Sequence, residues 1–317
     1  MNPNLLLVGE PLGLLIAKTA GPLDAVSDFT CAVAGAELNV AVGMSRLEHS
    51  VSYLTKLGDD PFGRRVVTTL RQNEIDTSRI FYGSQATGMM LKGFNPQGDP
   101  EIFYYRRGSA ASTLCGEDLA QLDLSGYTHL HLTGIFPALS PSTLEAAREL
   151  RTRARQAGLF LSFDPNLRPS LWKSQEEMRE VLNGLAAGCD LFLPGEKEGL
   201  VLCGSSDPDR IADFYLERGV GTVVVKLGAR GAYCATRQNR SVVPGYRVNP
   251  VDTVGAGDGF ACGVLSGLME GLPLADAVLR GNAIGAIQVT CKGDNEGLPT
   301  RAALEAWMAE HQPVGLQ

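Results

Sequence analysis

The sequence has little that suits a nucleic acid, a membrane or a structural metal. Its 28 Lys and Arg are outnumbered by 35 Asp and Glu, giving a net charge of −7. Nucleic acids and anionic membrane surfaces instead reward clustered cationic side chains. No apolar run reaches the roughly 20 residues of a membrane span. The start MNPNLLLVGE lacks the basic stretch and small-residue cleavage site of a secretory signal. The seven cysteines are scattered, with no pair at the spacing of a zinc knuckle or redox motif, so reduced thiols in a cytoplasmic protein are expected. Histidines number only four. His129 and His131 share one face of an expected strand, and with no third ligand nearby they read as packing residues. Two glycine motifs are also missing. No Lys-Ser/Thr pair closes a phosphate loop, and no GxGxxG follows the first apolar run, which argues against P-loop and dinucleotide-binding folds.

What remains is an ordinary globular composition, 44% hydrophobic and 20% charged over 317 residues, enough to bury a sizeable core. NLLLVGE reads as a first buried strand. ELNVAVGMSRLE has helical spacing with Leu38, Val42 and Leu47 inward. SVSYLTKLG reads as a strand, and DPFGRRVVTTLRQN opens a helix with Asp and Pro. From Arg79 to Arg107 the texture changes: RIFYG, MMLKGF and EIFYYRR are short β-type runs with NPQGD as a turn. They read as an antiparallel patch set apart from the main body. After residue 127, YTHLHLTG, LFLSFDP, DLFLPG and GTVVVKLG alternate with helical stretches, which implies a parallel sheet covered by helices. Ligands in such sheets bind at the carboxyl ends of the strands. The residues there include Glu10, Asp164, Asn166, Glu196 and Gly228, a set that favours a small polar ligand.

DTVGAGDGFACGVL, residues 252–265, places a second acid at a helix start that Asp252 or Thr253 could already cap. Three small residues let a backbone approach a ligand closely, and the amides at a helix start attract anions.

This stretch, continued as DTVGAGDGFACGVLSGL, resembles the C-terminal signature of the ribokinase-like (PfkB) carbohydrate kinases. AGAELNVAVGMSRLEHSVSYLTKLGDDPFG is similar to the first signature of that family. VVVKLGARGA and GNAIGAIQVTCKG resemble its nucleotide-binding turn and adenine-side helix. The resemblance covers nearly the whole chain and implies one kinase domain over residues 1–317. Its expected fold is α/β, a central mainly parallel sheet with helices on both faces and a small β-sheet lid from about residues 11–33 and 79–107.

By the same resemblance, the amides of Gly255, Ala256 and Gly257 form an anion hole for the transferring phosphoryl group. Asp258 is the general base that takes the proton of the attacking hydroxyl. Lys226, Gly228, Gly231, Gly255 and Gly257 are expected at ATP, with Asn282 beside the adenine. A solvated strand end is the competing reading for Lys226, and an ordinary polar helix position for Asn282. Glu198 matches a Glu that holds Mg2+ through water, although Gly195 replaces the usual Asn. Either Glu196 or Glu198 could instead be a helix-start acid. Asp252 is expected to shape the loop and border a monovalent-cation site such as one for K+.

Three stretches, GEPLGLLIA, GAELNVA and FYYRRGSAAS, resemble the 2-keto-3-deoxygluconate kinases of the family more than its ribokinases or fructokinases. The expected substrate contacts are Gly35, Ala36, Asn39, Tyr104, Arg106, Asp164, Asn166, Arg168 and Asp258. Arg106 and Arg168 are the candidates for a sugar-acid carboxylate, since a guanidinium meets it with two parallel bonds; covering sheet edges with charge is the alternative. Ala34 stands for the first glycine of the usual pair, and Met90 for a frequent Tyr. A neutral ketose is the second substrate reading, and a non-catalytic sugar- or nucleotide-binding regulator a third. Apolar residues on the outer face of the lid are expected to pair two copies into a homodimer.

Overall fold

Consecutive leucines at the start of the chain point into different halves of the core. In the computed structural model, which describes residues 4–95 and 100–314, Leu5 and Leu7 pack into one apolar cluster with Leu38, Val42 and Phe260. Leu6 and Val8 pack into a second with Leu130, Phe163 and Phe192. A strand buried on both faces reads as an unbroken apolar run, because neither face has water to meet.

That strand, β1 (Asn4–Val8), lies inside a nine-stranded sheet. The other members in chain order are β4 (Ser50–Gly58), β5 (Ile80–Gly83), β8 (His129–Thr133), β9 (Phe160–Asp164), β10 (Leu191–Phe192), β11 (Thr222–Lys226), β12 (Gly231–Ala235) and β13 (Arg240–Pro244). Their spatial order is β13-β12-β11-β10-β9-β8-β1-β4-β5. All neighbours are parallel except the β11–β12 and β12–β13 pairs. His131 behaves as expected of a packing residue. It is fully buried, its Nδ1 lies 2.8 Å from the Ser162 hydroxyl, and burial lowers its pKa to about 3.

The remaining strands, β2 (Leu12–Ala17), β3 (Phe29–Ala34), β6 (Met89–Lys92) and β7 (Ile102–Tyr105), form a separate four-stranded sheet in the order β3-β2-β6-β7. This is the lid. Two features differ from the sequence reading. Ile80–Gly83 joins the edge of the large sheet, parallel to β4, and does not belong to the lid. The lid is also mixed, since β2 and β6 run parallel. The turn expected at 95–99 falls, apart from Asn95, outside the described residues.

The lid meets the body at Gly35, which follows β3 and precedes the helix Ala36–Arg46. Its φ of 145° is a conformation that side chains rarely adopt, and a Cβ there would lie 2.9 Å from the Glu10 carbonyl. Only glycine fits this junction without strain.

Candidate active site

A cavity of about 490 Å³ opens between the lid and the carboxyl ends of the large sheet, the position expected for a parallel α/β sheet. One wall is the start of the helix Ala256–Met269. Gly255 caps it at φ 78°, and a Cβ there would lie 2.4 Å from the Asp294 carbonyl. Gly255, Gly257 and Asp258 of this helix start line the cavity, while the Ala256 amide turns back to the Thr253 carbonyl at 3.4 Å; the first amides of a helix have no acceptor within it.

Asp258 sits in that first turn. Asn39 Nδ2 donates to its Oδ2 at 2.8 Å, and Asn166 Nδ2 approaches its Oδ1 at 3.4 Å. Asn295 Nδ2 donates in turn to Asn39 Oδ1 at 3.2 Å, which orients the Asn39 amide. Burial pushes the Asp258 carboxyl up to about 7 against the Asn39 hydrogen bond, with the negative charge of Asp164 adding to the rise. A carboxylate poised near neutral pH is suited to accept a proton from an alcohol.

Next to it, the Lys226 ammonium lies 3.9 Å from where a Cβ on Gly257 would stand. It donates to Asp164 Oδ2 at 2.8 Å and is 3.7 Å from Glu198 Oε2. Lys226 is therefore a paired cation beside the helix start. Asp164 lies behind the cavity wall, where its Oδ1 also accepts the Asn166 amide at 3.1 Å. That turn holds Asn166 at φ 35° and carries Arg168 to the cavity. Arg168 Nη1 donates to the Leu167 carbonyl at 2.9 Å; among the described residues no carboxylate is in ion-pair contact with its guanidinium, whose charge acts on Asp258 and favours its ionised form.

Of the residues expected from sequence, Gly35, Ala36, Asn39, Tyr104, Arg106, Asn166, Arg168, Glu198, Lys226, Gly255, Gly257 and Asp258 line this cavity. Four behave differently from expectation. Asn282 is buried and spends its amide on the Val243 and Pro244 carbonyls, fastening its helix to β13. Glu198 accepts the Gly195 amide at 2.7 Å and the Leu167 amide at 3.1 Å, so it caps its own helix and braces the loop after β9. Arg106 directs Nε and Nη2 at Glu10, whose other oxygen accepts the Ser109 hydroxyl. Asp252 is engaged by the ammonium of Lys92 at 2.9 Å. Gly228 and Gly231 lie outside the lining; Gly231 is pressed against the Val243 carbonyl and shapes the turn into β12.

Sequence reasoning missed Glu37, Lys92 and Asp294. Glu37 is buried at the cavity with Oε1 bonded to the Thr133 hydroxyl, and burial raises its carboxyl to about 7. The only signal was an acid one residue inside an apolar helix. No cluster of three or more His, Cys, Asp or Glu among the described residues could hold a metal ion. Both Glu198 oxygens are already engaged by backbone amides.

A helix start on the wall of a lidded polar cavity, with a carboxylate of raised pKa beside it, is an arrangement that suits a phosphotransferase acting on a hydroxyl. Comparison with known proteins makes the class specific. The sequence matches the pfkB family carbohydrate kinases over residues 2–301. It is 43% identical over 309 residues to the 2-dehydro-3-deoxygluconokinase of Bacillus subtilis, covering 96% of this chain and 95% of that one. It is 34% identical over 301 residues to the enzyme of the same name from Thermoproteus tenax, covering 94% and 91%. The crystal structure of a PfkB protein from Polaromonas sp. JS666 superposes with a TM-score of 0.89 at 43% identity, covering 96% of this chain and 99% of that one. An Escherichia coli structure described as a putative ribokinase II with ATP and Mg2+ superposes with a TM-score of 0.89 at 28% identity, covering 98% and 100%. The chain belongs to the pfkB family of carbohydrate kinases.

Proposed function

We propose that the acceptor is 2-keto-3-deoxygluconate, phosphorylated by ATP on its terminal hydroxyl to give 2-keto-3-deoxy-6-phosphogluconate and ADP. The observation that carries this reading is Arg168, a guanidinium on the cavity wall with no carboxylate in ion-pair contact among the described residues. A buried sugar carboxylate is costly unless paired, and Arg168 offers the pair. The likeness to two 2-dehydro-3-deoxygluconokinases supports the same substrate. Arg106 contributes through what Glu10 leaves free: a guanidinium has five N–H groups, and its Nη1 is not bonded to Glu10. Tyr104, under the Arg106 guanidinium at 5.4 Å, closes that side.

In this reading Asp258 accepts the hydroxyl proton as the sugar oxygen bonds to the γ-phosphorus and the bond to the ADP oxygen breaks. Asn39 holds the carboxylate in line. The amides of Gly255, Ala256, Gly257 and Asp258 take up the charge gathering on the phosphoryl oxygens, and Lys226 adds a fixed positive charge beside them. Magnesium accompanying ATP supplies further neutralisation of the phosphates; the neighbour with ATP and Mg2+ supports that pairing of co-substrate and ion. The second reading, a neutral ketose, is favoured by the Arg106–Glu10 pair, which uses part of one guanidinium internally. The regulator reading is disfavoured by an intact base at the anion-binding turn.

A coupled assay of ADP release with ATP and magnesium, comparing 2-keto-3-deoxygluconate, fructose and ribose, tests the proposal. The expected result is the highest kcat/KM for the sugar acid. A preference for fructose would replace this reading with the second one.

The exposed outer residues of β7, Phe103 and Tyr105, whose rings lie 4.9 Å apart, support a homodimer formed lid to lid. Sedimentation at micromolar concentration should give twice the 33.8 kDa of one chain. A fully active monomer would remove the pairing.

A further inference from the structure

Lys92 ends a lid strand, yet its ammonium is buried in the body. It lies 2.9 Å from Asp252 Oδ2 and 3.0 Å from Asp294 Oδ1. Lysines are almost never buried unless paired, and this one spans from the lid to both segments that frame the anion-binding turn. Asp252 starts the loop into that turn, and its Oδ1 accepts the Val254 amide at 3.1 Å. Asp294 supports the turn from behind, its carbonyl lying against Gly255. The lid touches the same segment again, where the Lys292 ammonium stands 4.8 Å from the centre of the Phe94 ring.

The neighbouring oxygens are engaged as well. Gln288 Nε2 donates to the Gly293 carbonyl at 2.9 Å and approaches the Val254 carbonyl at 3.4 Å. A monovalent cation beside Asp252 needs oxygens of this kind as ligands. Here they are already met by an ammonium and an amide of the chain itself. The groups present therefore do not suit the ion expected from sequence.

We propose that Lys92 is a tethered cation for the anion hole, a positioning residue that takes the place of a bound monovalent ion and fastens the closed lid to the phosphate-binding turn. Without it, two carboxylates would face the site where negative charge gathers during transfer, one of them almost wholly buried. With it, that charge is partly balanced, and the balance is in place only while the lid is down. The inference rests on the kinase reading above.

The test is steady-state kinetics of the full chain in buffers whose only monovalent cation is tetramethylammonium. Turnover of the wild type on the sugar in this first arm checks the kinase reading independently of the ion. Added potassium should then leave the wild-type kcat unchanged. Lys92→Ala should lose ~10²-fold in kcat, the scale of one lost donor at an oxyanion hole, with a smaller change in KM for the sugar. Potassium, ammonium or methylammonium should restore much of that loss in a saturable manner. The same ions should raise the melting temperature of the variant and not of the wild type. A wild type that requires potassium would overturn the proposal, and this arm decides even if the variant does not fold. So would a Lys92→Ala enzyme with normal kcat, or a folded variant that no cation rescues.

Discussion

The two sheets of this protein are built by different means. The large sheet is buried on both faces, and consecutive residues of β1 serve two separate cores. Among the described residues the lid's buried core is Leu12, Leu14, Ala34 and Met90, while Phe103 and Tyr105 remain exposed. Polar links hold it down: Arg106 to Glu10, Lys92 to Asp252 and Asp294, and the Thr87 amide to Asp60 at 2.7 Å. Apolar burial is non-directional and makes a rigid platform. Ion pairs and hydrogen bonds at the rim are few and directional. The difference predicts a cover that opens more readily than the platform beneath it.

The division is broken most severely by removing the proposed base from the rigid half. Asp258→Asn keeps the size and the helix start but not the proton acceptor, so kcat should fall ~10²–10⁴-fold. Sugar binding, measured by calorimetry, should change far less. Near-normal turnover would remove Asp258 from the chemistry.

A smaller effect follows from the same carboxyl without mutation. Burial raises Asp258 to about 7, so it is protonated and unable to accept a proton below that pH. For kcat/KM the expected profile rises about ten-fold per pH unit on the acid side and flattens above neutrality. A profile already flat from pH 5 upward would mean that the group is ionised throughout.

The mildest test leaves chemistry aside. Backbone amides of β6 and β7 should exchange with solvent about ten-fold or more faster than those of β1 and β8, reflecting opening of the lid alone. Sugar acid with a non-hydrolysable ATP analogue should slow the lid amides more than the body amides. Exchange of both sheets in step would erase the distinction between them.

Much of the platform was legible in the sequence, because strands buried on both faces leave unbroken apolar runs such as NLLLV and TVVVK. The helix start at Gly255–Asp258 was legible too, since three small residues and a surplus acid exceed what a cap requires, and the structure puts it on the cavity wall. Short β runs were harder. IFYG and MMLK carry the same local pattern, yet one joins the body and the other the lid, and pairing partners are not encoded within four residues. The contacts of Lys92 lay further out of reach, because its carboxylate partners are 160 and 202 positions away. Asn282 shows the converse difficulty. A polar residue on an apolar helix can face a ligand or a neighbouring carbonyl, and only the packing of β13 decides it.

The central claim is that this active site selects a sugar by its carboxylate. It is tested most directly by the ratio of kcat/KM for 2-keto-3-deoxygluconate to that for fructose, in the wild type and in Arg168→Ala. Stranding a buried charge costs ~2–5 kcal/mol, so the variant should lose about 30-fold or more on the sugar acid and much less on fructose. The ratio should collapse accordingly. A wild type that prefers fructose, or an equal loss on both sugars, would contradict the account.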